Sequence, residues 1–350
     1  MLMKTVGFYK NLPIENEESL VDLERTKPIA TGTDLLIEIK AISVNPVDTK
    51  IRQNTEPQGN EPIIAGWDAS GIVVGTGEDC TSFTVGDEVY YAGTVSRDGT
   101  NSAFHLVEEA LVGRKPSRLS FAEAAALPLT TITAWETLFE RMKWSTDKEE
   151  NKGKSILIIG AAGGVGSIAI QLAHWAGLKV VGTASREESK DWARSLGADQ
   201  IIDPHTSFLD QMDAPVDSIF CCNNTDEHWD NMIEAIAPQG HIVTIVEPNQ
   251  KTDLNSLKSK SLTVSFEFMF TRSLHQTADR YKQQQLLNQV SQLIDEGLLI
   301  STLRETLRPI NAHTLRKAHT MIERGKTIGK VVIEGFYPYE ESSVTHDGQK

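Results

Sequence analysis

The sequence predicts an α/β protein in two parts, a β-rich portion and a doubly wound parallel sheet with helices on both faces. Three observations carry that prediction. Before Ser120, short apolar runs alternate with polar positions and break at glycines, and no helical period intrudes. From Lys154 onward, strand-like apolar runs are separated by intervals with helical patterns, the alternation that builds a helix-covered parallel sheet. The 350 residues also exceed one typical core, so two domains fit better than one.

Leu35, Ile37 and Ile39 alternate with Leu36, Glu38 and Lys40, as a strand with one buried face requires. "IAGWDASGIVVGTG" and "VGDEVYYAG" read as further short strands closed by glycine turns. At Ser120, "SFAE" offers a capping box, with the Ser120 hydroxyl meeting the amide near Glu123 and the carboxylate reaching back, so a helix starts there. "SILIIG", "LKVVGTA", "DQIID", "VDSIFCC" and "HIVTIV" are buried-strand candidates, and "LTVSFEFMF" (262–270) is one more at the sheet's end. Leu286, Val290, Leu293 and Ile294 mark a helix that stops at Gly297; Leu315, Ala318 and Ile322 mark another that stops at Gly325. "KVVIEG" is the last strand, and residues 337–350, polar and without period, form a loose tail.

Composition narrows the function. With 39% hydrophobic and 23% charged residues, the chain reads as an ordinary soluble globular protein. A net charge of -14 disfavours nucleic acid and anionic membrane as partners, because both present like charge. Met1 to Pro13 has no long apolar core or small-residue cleavage site, and no segment has the uninterrupted apolar length of a membrane span, so a cytoplasmic address is expected. Cys80, Cys221 and Cys222 cannot make a disulfide framework; adjacent Cys221 and Cys222 on a strand point to opposite faces and read as reduced, structural thiols.

The sharpest local signal is "SILIIGAAGGVG". A strand, a tight turn and a helix with Val165, Ile168, Ala169, Leu172, Ala173 and Ala176 on one face follow in the order a phosphate loop needs. At such a junction the backbone amides and the helix dipole hold an anion, so a dinucleotide pyrophosphate binds without a dedicated cation. Gly163 lets the backbone approach the phosphates and Gly166 lets the helix pack on the sheet, with Gly164 and Val165 between them. Ala161 takes the first-glycine position. An acidic residue about 20 residues on would bind a ribose 2'-hydroxyl, but this chain has Thr183, Ala184, Ser185 and Arg186 there. Arg186 and Ser185, with Lys190 one turn on, suit a 2'-phosphate, which favours NADPH over NADH. "SREE" equally reads as a helix cap at Ser185 with a solvated face beyond it.

In order along the chain, "SVNPVDTKIR", "GWDASGIV", "VGDEVY", "LSFAEAAALPLTTITAWETL" and "GAAGGVG" together resemble the medium-chain dehydrogenase/reductase superfamily, and within it the quinone oxidoreductase-like, zinc-type alcohol-dehydrogenase-like proteins. The resemblance covers residue 1 to about 335. It implies a GroES-like catalytic domain from residues 1–125 with a C-terminal return at 298–336, around an inserted Rossmann NADP-binding domain at 126–297. Zinc members hold their catalytic metal with a cysteine in the "VN" region, a histidine in the "GW" region and a later cysteine. Here those places read Asn45-Pro46-Val47-Asp48 and Gly66-Trp67-Asp68, and indole is donor-only, so no metal is expected. The structural zinc lobe is missing too, since no cysteine lies between Tyr91 and Phe104.

The resemblance further implies that Asn45 and Asp48 face the nicotinamide, Asn45 bonding the substrate carbonyl or the ribose and Asp48 ordering that network. Local turn chemistry around Pro46 explains both residues as well. Where relatives often carry a tyrosine, this chain has Lys50, which leaves Tyr91 or solvent as the proton donor. Trp67 is a pocket wall or a core residue; Thr130 or Thr131 is the cofactor-facing threonine. Asn223 is expected at the sheet's carboxyl edge, and backbone near Val246 and Phe268 at the carboxamide. Without zinc, the acceptor must spread arriving charge itself, as a quinone or the C=C bond of an α,β-unsaturated carbonyl does. A dinucleotide-binding redox sensor or structural protein without turnover is the competing reading. The apolar "LTVSFEFMF" edge suggests a homodimer.

Overall fold

The computed structural model describes residues 1–336, and the tail expected at 337–350 lies outside them. An antiparallel pair, β1 (Leu2–Gly7) and β2 (Val21–Thr26), opens the chain. β3 (Asp34–Val44) then buries Leu35, Ile37 and Ile39, as their alternation requires. Next comes a helix, α1 (Pro46–Asn54), where the sequence showed no helical period. Its fully buried residues are Asp48, Thr49 and Arg52, and only half-buried Val47 and Ile51 add apolar packing, too short a stripe to read. What starts α1 is Pro46 in the first turn and the Asp48 carboxylate, which accepts from the Asn45 amide at 2.5 Å.

β4 (Ala69–Thr76), β5 (Glu88–Tyr91), β6 (Phe104–Glu108) and β7 (Val112–Arg114) extend the sheet around β3. Ser120 caps α2 (Phe121–Ala125) as expected: its hydroxyl accepts from the Glu123 amide at 3.3 Å and its own amide donates to that carboxylate at 2.8 Å. α3 (Pro128–Trp135) follows and runs on as a π-helical turn over Glu136–Arg141.

The second sheet alternates strands and helices: β8 (Ser155–Ile159), α4 (Gly164–Trp175), β9 (Lys179–Thr183), α5 (Glu187–Ser195), β10 (Gln200–Ile202), β11 (Val216–Cys221), α6 (Thr225–Ala235), β12 (Ile236–Thr244) and β13 (Thr263–Phe266). Its order is β10-β9-β8-β11-β12-β13 with every pair parallel, so the winding reverses between β8 and β11. Each fully buried Ile, Leu or Val of β8 contributes roughly 1.5–3 kcal/mol. Cys221 joins the core on one face of β11 and Cys222 the core on the other, and both thiols are free.

β13 is shorter than "LTVSFEFMF" suggested, because after Phe266 the chain leaves the sheet and Phe268, Met269 and Phe270 turn into a cleft wall. α7 (Thr271–Leu274) and α8 (Lys282–Asp295) follow. β14 (Leu303–Leu307), α9 (Ala312–Glu323) and β15 (Lys330–Glu334) then return to the first sheet, β15 pairing antiparallel with β3. That sheet runs β14-β15-β3-β4-β5-β7, with β6 also on β3. Among the described residues, no helix is long and apolar enough to cross a membrane.

Candidate active site

A cleft of about 720 Å³ lies at the carboxyl edge of the parallel sheet, facing the first sheet. One wall is Gly160, Ala162 to Gly166, Thr183 to Arg186, Asn223 and Ile245 to Glu247; the other includes Val44 to Val47, Lys50, Thr130, Thr327, Gly329 and Lys330. A sheet whose order reverses between β8 and β11 opens its crevice there, and Gly160 and Asn223 stand on either side of it.

In the glycine loop, the glycines differ in what a side chain there would meet. Gly160 turns with φ +79°, and its amide donates to Thr183 Oγ1 at 3.0 Å. A Cβ on Gly166 would stand 2.3 Å from the Gly160 carbonyl oxygen, so only glycine lets α4 pack there. A Cβ on Gly163 would meet only that oxygen at 3.4 Å and otherwise face the cleft. No side chain caps α4 and its first turn holds no acid, so its amides and dipole are presented to an anion. Ala161 is fully buried behind the loop and does not line the cleft; only its backbone shapes the turn.

At the far end of β9, Ser185 and Arg186 line the cleft, and Arg186 Nη2 donates to the Lys326 carbonyl at 2.8 Å. Lys190 does not join them: its ammonium turns onto Glu187 of its own helix at 2.7 Å. Ser185 is no cap either, because α5 starts one residue later with Arg186 in the N-cap position.

The opposite wall is built on a buried polar cluster. Asn45 lines the cleft, yet its amide is committed, with Nδ2 donating to Asp68 Oδ2 at 2.9 Å and Oδ1 accepting from Lys330 Nζ. Lys330 also donates to Asp68 Oδ2 at 3.1 Å and to the Val44 carbonyl at 3.3 Å, while Asp68 Oδ1 accepts from the Leu129 amide at 2.8 Å. Asp48 lies behind Asn45 and orders it through the backbone bond that starts α1; Asp48 itself does not line the cleft. Burial pushes the Asp48 carboxyl up to about 7, against the pull of the Asn45 amide and of Lys330. Asp68 is raised by burial as well, with Lys330 opposing.

Two other expected site residues, Tyr91 and Trp67, do not line the cleft. Tyr91 is fully buried away from the cleft, its hydroxyl bonded to His105 Nδ1 at 2.9 Å and its rings stacked on that histidine, so it is no proton donor to a ligand. Burial holds that phenol well above its ordinary range. Trp67 is a core residue: its indole donates to the Thr94 carbonyl at 2.9 Å and its edge backs Phe270, which forms the wall in its place. Of the two threonines, Thr130 reaches the cleft and Thr131 does not. Lys50 stands at the mouth, its ammonium 3.5 Å from Glu247 across the opening. Asn223, Val246 and Phe268 all line the wall.

Sequence reading missed Asp68 and Lys330, and also the carboxyl pair Glu136 and Glu267, of which Glu267 adjoins the Phe268–Phe270 wall and lines the cleft. There burial, reinforced by Glu267, pushes Glu136 up to about 9. A visible signal for Lys330 existed, namely a lysine opening an otherwise apolar strand. Among the described residues, no group of three or more His, Cys, Asp or Glu is placed to hold a metal ion.

Two family models match in sequence order: the alcohol dehydrogenase GroES-like domain at residues 31–135 and the zinc-binding dehydrogenase domain at residues 164–288. A zinc-type alcohol dehydrogenase-like protein of Staphylococcus aureus (strain COL) is 44% identical over 333 residues, covering 95% of this chain and 99% of that protein. A solved structure from Rhizobium etli CFN 42, described as a zinc-dependent alcohol dehydrogenase protein, is 46% identical with a TM-score of 0.92, covering 96% and 99%. A 2-methylene-furan-3-one reductase of Solanum lycopersicum is 30% identical over 310 residues, covering 85% of this chain and 71% of that protein. The chain belongs to the medium-chain dehydrogenase/reductase superfamily of oxidoreductases, with a GroES-like sheet and a Rossmann sheet.

Proposed function

We propose that this protein is an NADPH-dependent, metal-independent reductase of quinones or of the C=C bond of α,β-unsaturated carbonyls. The observation that carries it is one cleft with a glycine loop open at Gly163, the Arg186 guanidinium past the end of β9, and, among the described residues, no cluster of three or more metal-ligating side chains. At the zinc-ligand positions of metal-dependent relatives stand Asn45 and Trp67, an amide committed to its neighbours and a donor-only indole.

The cleft fits a dinucleotide on its own terms. Uncapped α4 and the space in front of Gly163 would hold the pyrophosphate, and Arg186 with Ser185 the 2'-phosphate. When bound, the nicotinamide supplies the hydride. Phe268, Met269 and Phe270 would give the reacting end an apolar wall, with Thr130 and Val246 bordering it. Among the described residues no metal-ligand set lines the cleft, so a conjugated system that delocalises the arriving charge is the acceptor the chemistry favours. The similarity to a furanone reductase supports the alkene branch.

The competing reading, a nucleotide-binding protein without turnover, is favoured by one observation: Tyr91 is withdrawn from the cleft and Lys50 stands in place of a hydroxyl donor. NADPH oxidation across a panel of quinones and enones, with product analysis and a chelator arm, decides. Turnover insensitive to chelator supports the reductase; a panel without turnover supports the binder. We also propose a homodimer paired along β13, where Phe266 is 58% exposed at the sheet edge. A monomer in sedimentation would refute that pairing.

A further inference from the structure

We propose that Gly329–Lys330 is a strut that sets the distance between the phosphate loop and the Asn45 wall, with Lys330 a positioning residue for hydride transfer. The inference rests on the reductase reading for its kinetic consequence alone. Three contacts build the strut, each on a different part of the cleft. The Gly329 amide donates to the Ala162 carbonyl of the phosphate loop at 2.8 Å. The stem of Lys330 crosses the start of α4 so closely that a Cβ on Gly164 would stand 2.8 Å from its Cδ, which gives that glycine its own steric reason. Its ammonium then ends between Asn45, Asp68 and the Val44 carbonyl on the opposite wall.

An ammonium has three N–H donors, and all three are taken by those oxygens. None is left for a substrate, so Lys330 acts through what it holds. It holds Asn45 directly and Asp68 as its counter-charge, both buried. A dinucleotide has a fixed length, so anchoring its pyrophosphate at the loop leaves its nicotinamide wherever the far wall allows. Hydride transfer is sensitive to displacements of about 1 Å. A residue that spans both anchor points thus controls turnover more than affinity.

The test compares wild type, Lys330→Met and the double variant Lys330→Met/Asp68→Asn. The single variant leaves a buried carboxylate without its cation and is expected to lose thermal stability; the double variant removes both charges and is expected to recover it. In the double variant, turnover on whichever acceptor the wild type reduces is expected to fall roughly 100-fold. Its NADPH dissociation constant stays within about twofold of wild type, and the primary isotope effect with 4-deuterated NADPH rises. Wild-type turnover in the double variant would overturn the strut and leave Lys330 a counter-charge. Affinity falling in step with turnover would make Lys330 a cofactor contact. Should the wild type itself turn over nothing, the reductase reading fails, and the strut is judged on the Asn45 carboxamide by NMR of asparagine-labelled protein. Its side-chain amide shifts are expected to move toward those of a solvated asparagine in the double variant, and unchanged shifts would overturn the strut.

Discussion

Two glycines three residues apart in the same loop should fail in different ways, and the contrast tests the phosphate site independently of any substrate. In Gly166→Ala, the new methyl would stand 2.3 Å from the Gly160 carbonyl oxygen and 2.8 Å from the Ala161 backbone. Neither neighbour is a side-chain tip that can swing aside, so α4 must back away from β8. Overpacking of this kind costs about 1–3 kcal/mol, which for a domain of this size lowers the melting temperature by roughly 2–12 °C. In Gly163→Ala, the methyl meets only one protein atom, at 3.4 Å, and the backbone there (φ -73°, ψ 176°) is open to any residue. The fold should stand, and the methyl should project where a pyrophosphate would approach the α4 amides. The expected result is a melting temperature within about 1 °C of wild type and NADPH binding weakened by tenfold or more, about 1.4 kcal/mol. Differential scanning fluorimetry with and without NADPH, plus a fluorescence titration, reads both. Gly163→Ala binding NADPH as tightly as wild type would refute the placement of the pyrophosphate.

The remaining expectations concern charge and the withdrawn tyrosine. Arg186→Ala should weaken NADPH by about tenfold or more while leaving NADH unchanged, since only a 2'-phosphate needs the guanidinium; equal losses for both cofactors would remove Arg186 from that role. Asp48 keeps its proton up to about pH 7 in the folded protein but ionises near 3.8 in the unfolded chain. The folded state therefore holds the extra proton between those values, and this group's contribution to stability falls as pH rises through that window. At about 1.4 kcal/mol per pH unit the fall totals up to roughly 4 kcal/mol. Asp48→Asn should flatten it, and denaturant midpoints at pH 5 and pH 8 that show the same decline in both proteins would refute the assignment. Tyr91→Phe loses the bond to His105, about 1 kcal/mol, and should keep the wild-type kcat; a large fall in kcat would restore it to the site.

What could be read from sequence was contiguous. β8, the loop and α4 follow one another without interruption, so the strand run, the glycines and the helix stripe all fall in one short window, where Gly166 has its steric reason in the packing of α4 and Gly163 has none from the protein itself. α1 escaped because its fully buried residues are Asp48, Thr49 and Arg52, and hydrophobic periodicity cannot register polar residues. Tyr91, an alternative to solvent as proton donor, and Trp67, a wall or a core residue on the sequence reading, both lie on the core side, where a buried hydroxyl or indole must find a partner and does, in His105 and the Thr94 carbonyl. Lys330 was out of reach for a different reason. Its bond to Asn45 joins residues 285 positions apart, and the strand that delivers it is known to pair with β3 only once the chain has returned to the first sheet.

The same return decides which of the two buried acids carries the charge. Burial raises both, and Lys330 pulls both down, so the donors each accepts from must settle the order. Asp68 accepts from the Leu129 amide, the Asn45 side chain and the Lys330 ammonium, a set that stabilises an anion. Asp48 accepts from neutral backbone amides, chiefly that of Asn45 with a lesser pull from Gly66. Asp68 is therefore the ionised member and Asp48 holds the proton, which leaves the cluster neutral below about pH 7. Above that value it gains a negative charge directly behind Asn45, beside the wall toward which hydride, and with it negative charge, would move. The rate of reduction should thus decline with pH in wild type and hold steady in Asp48→Asn, where position 48 cannot ionise.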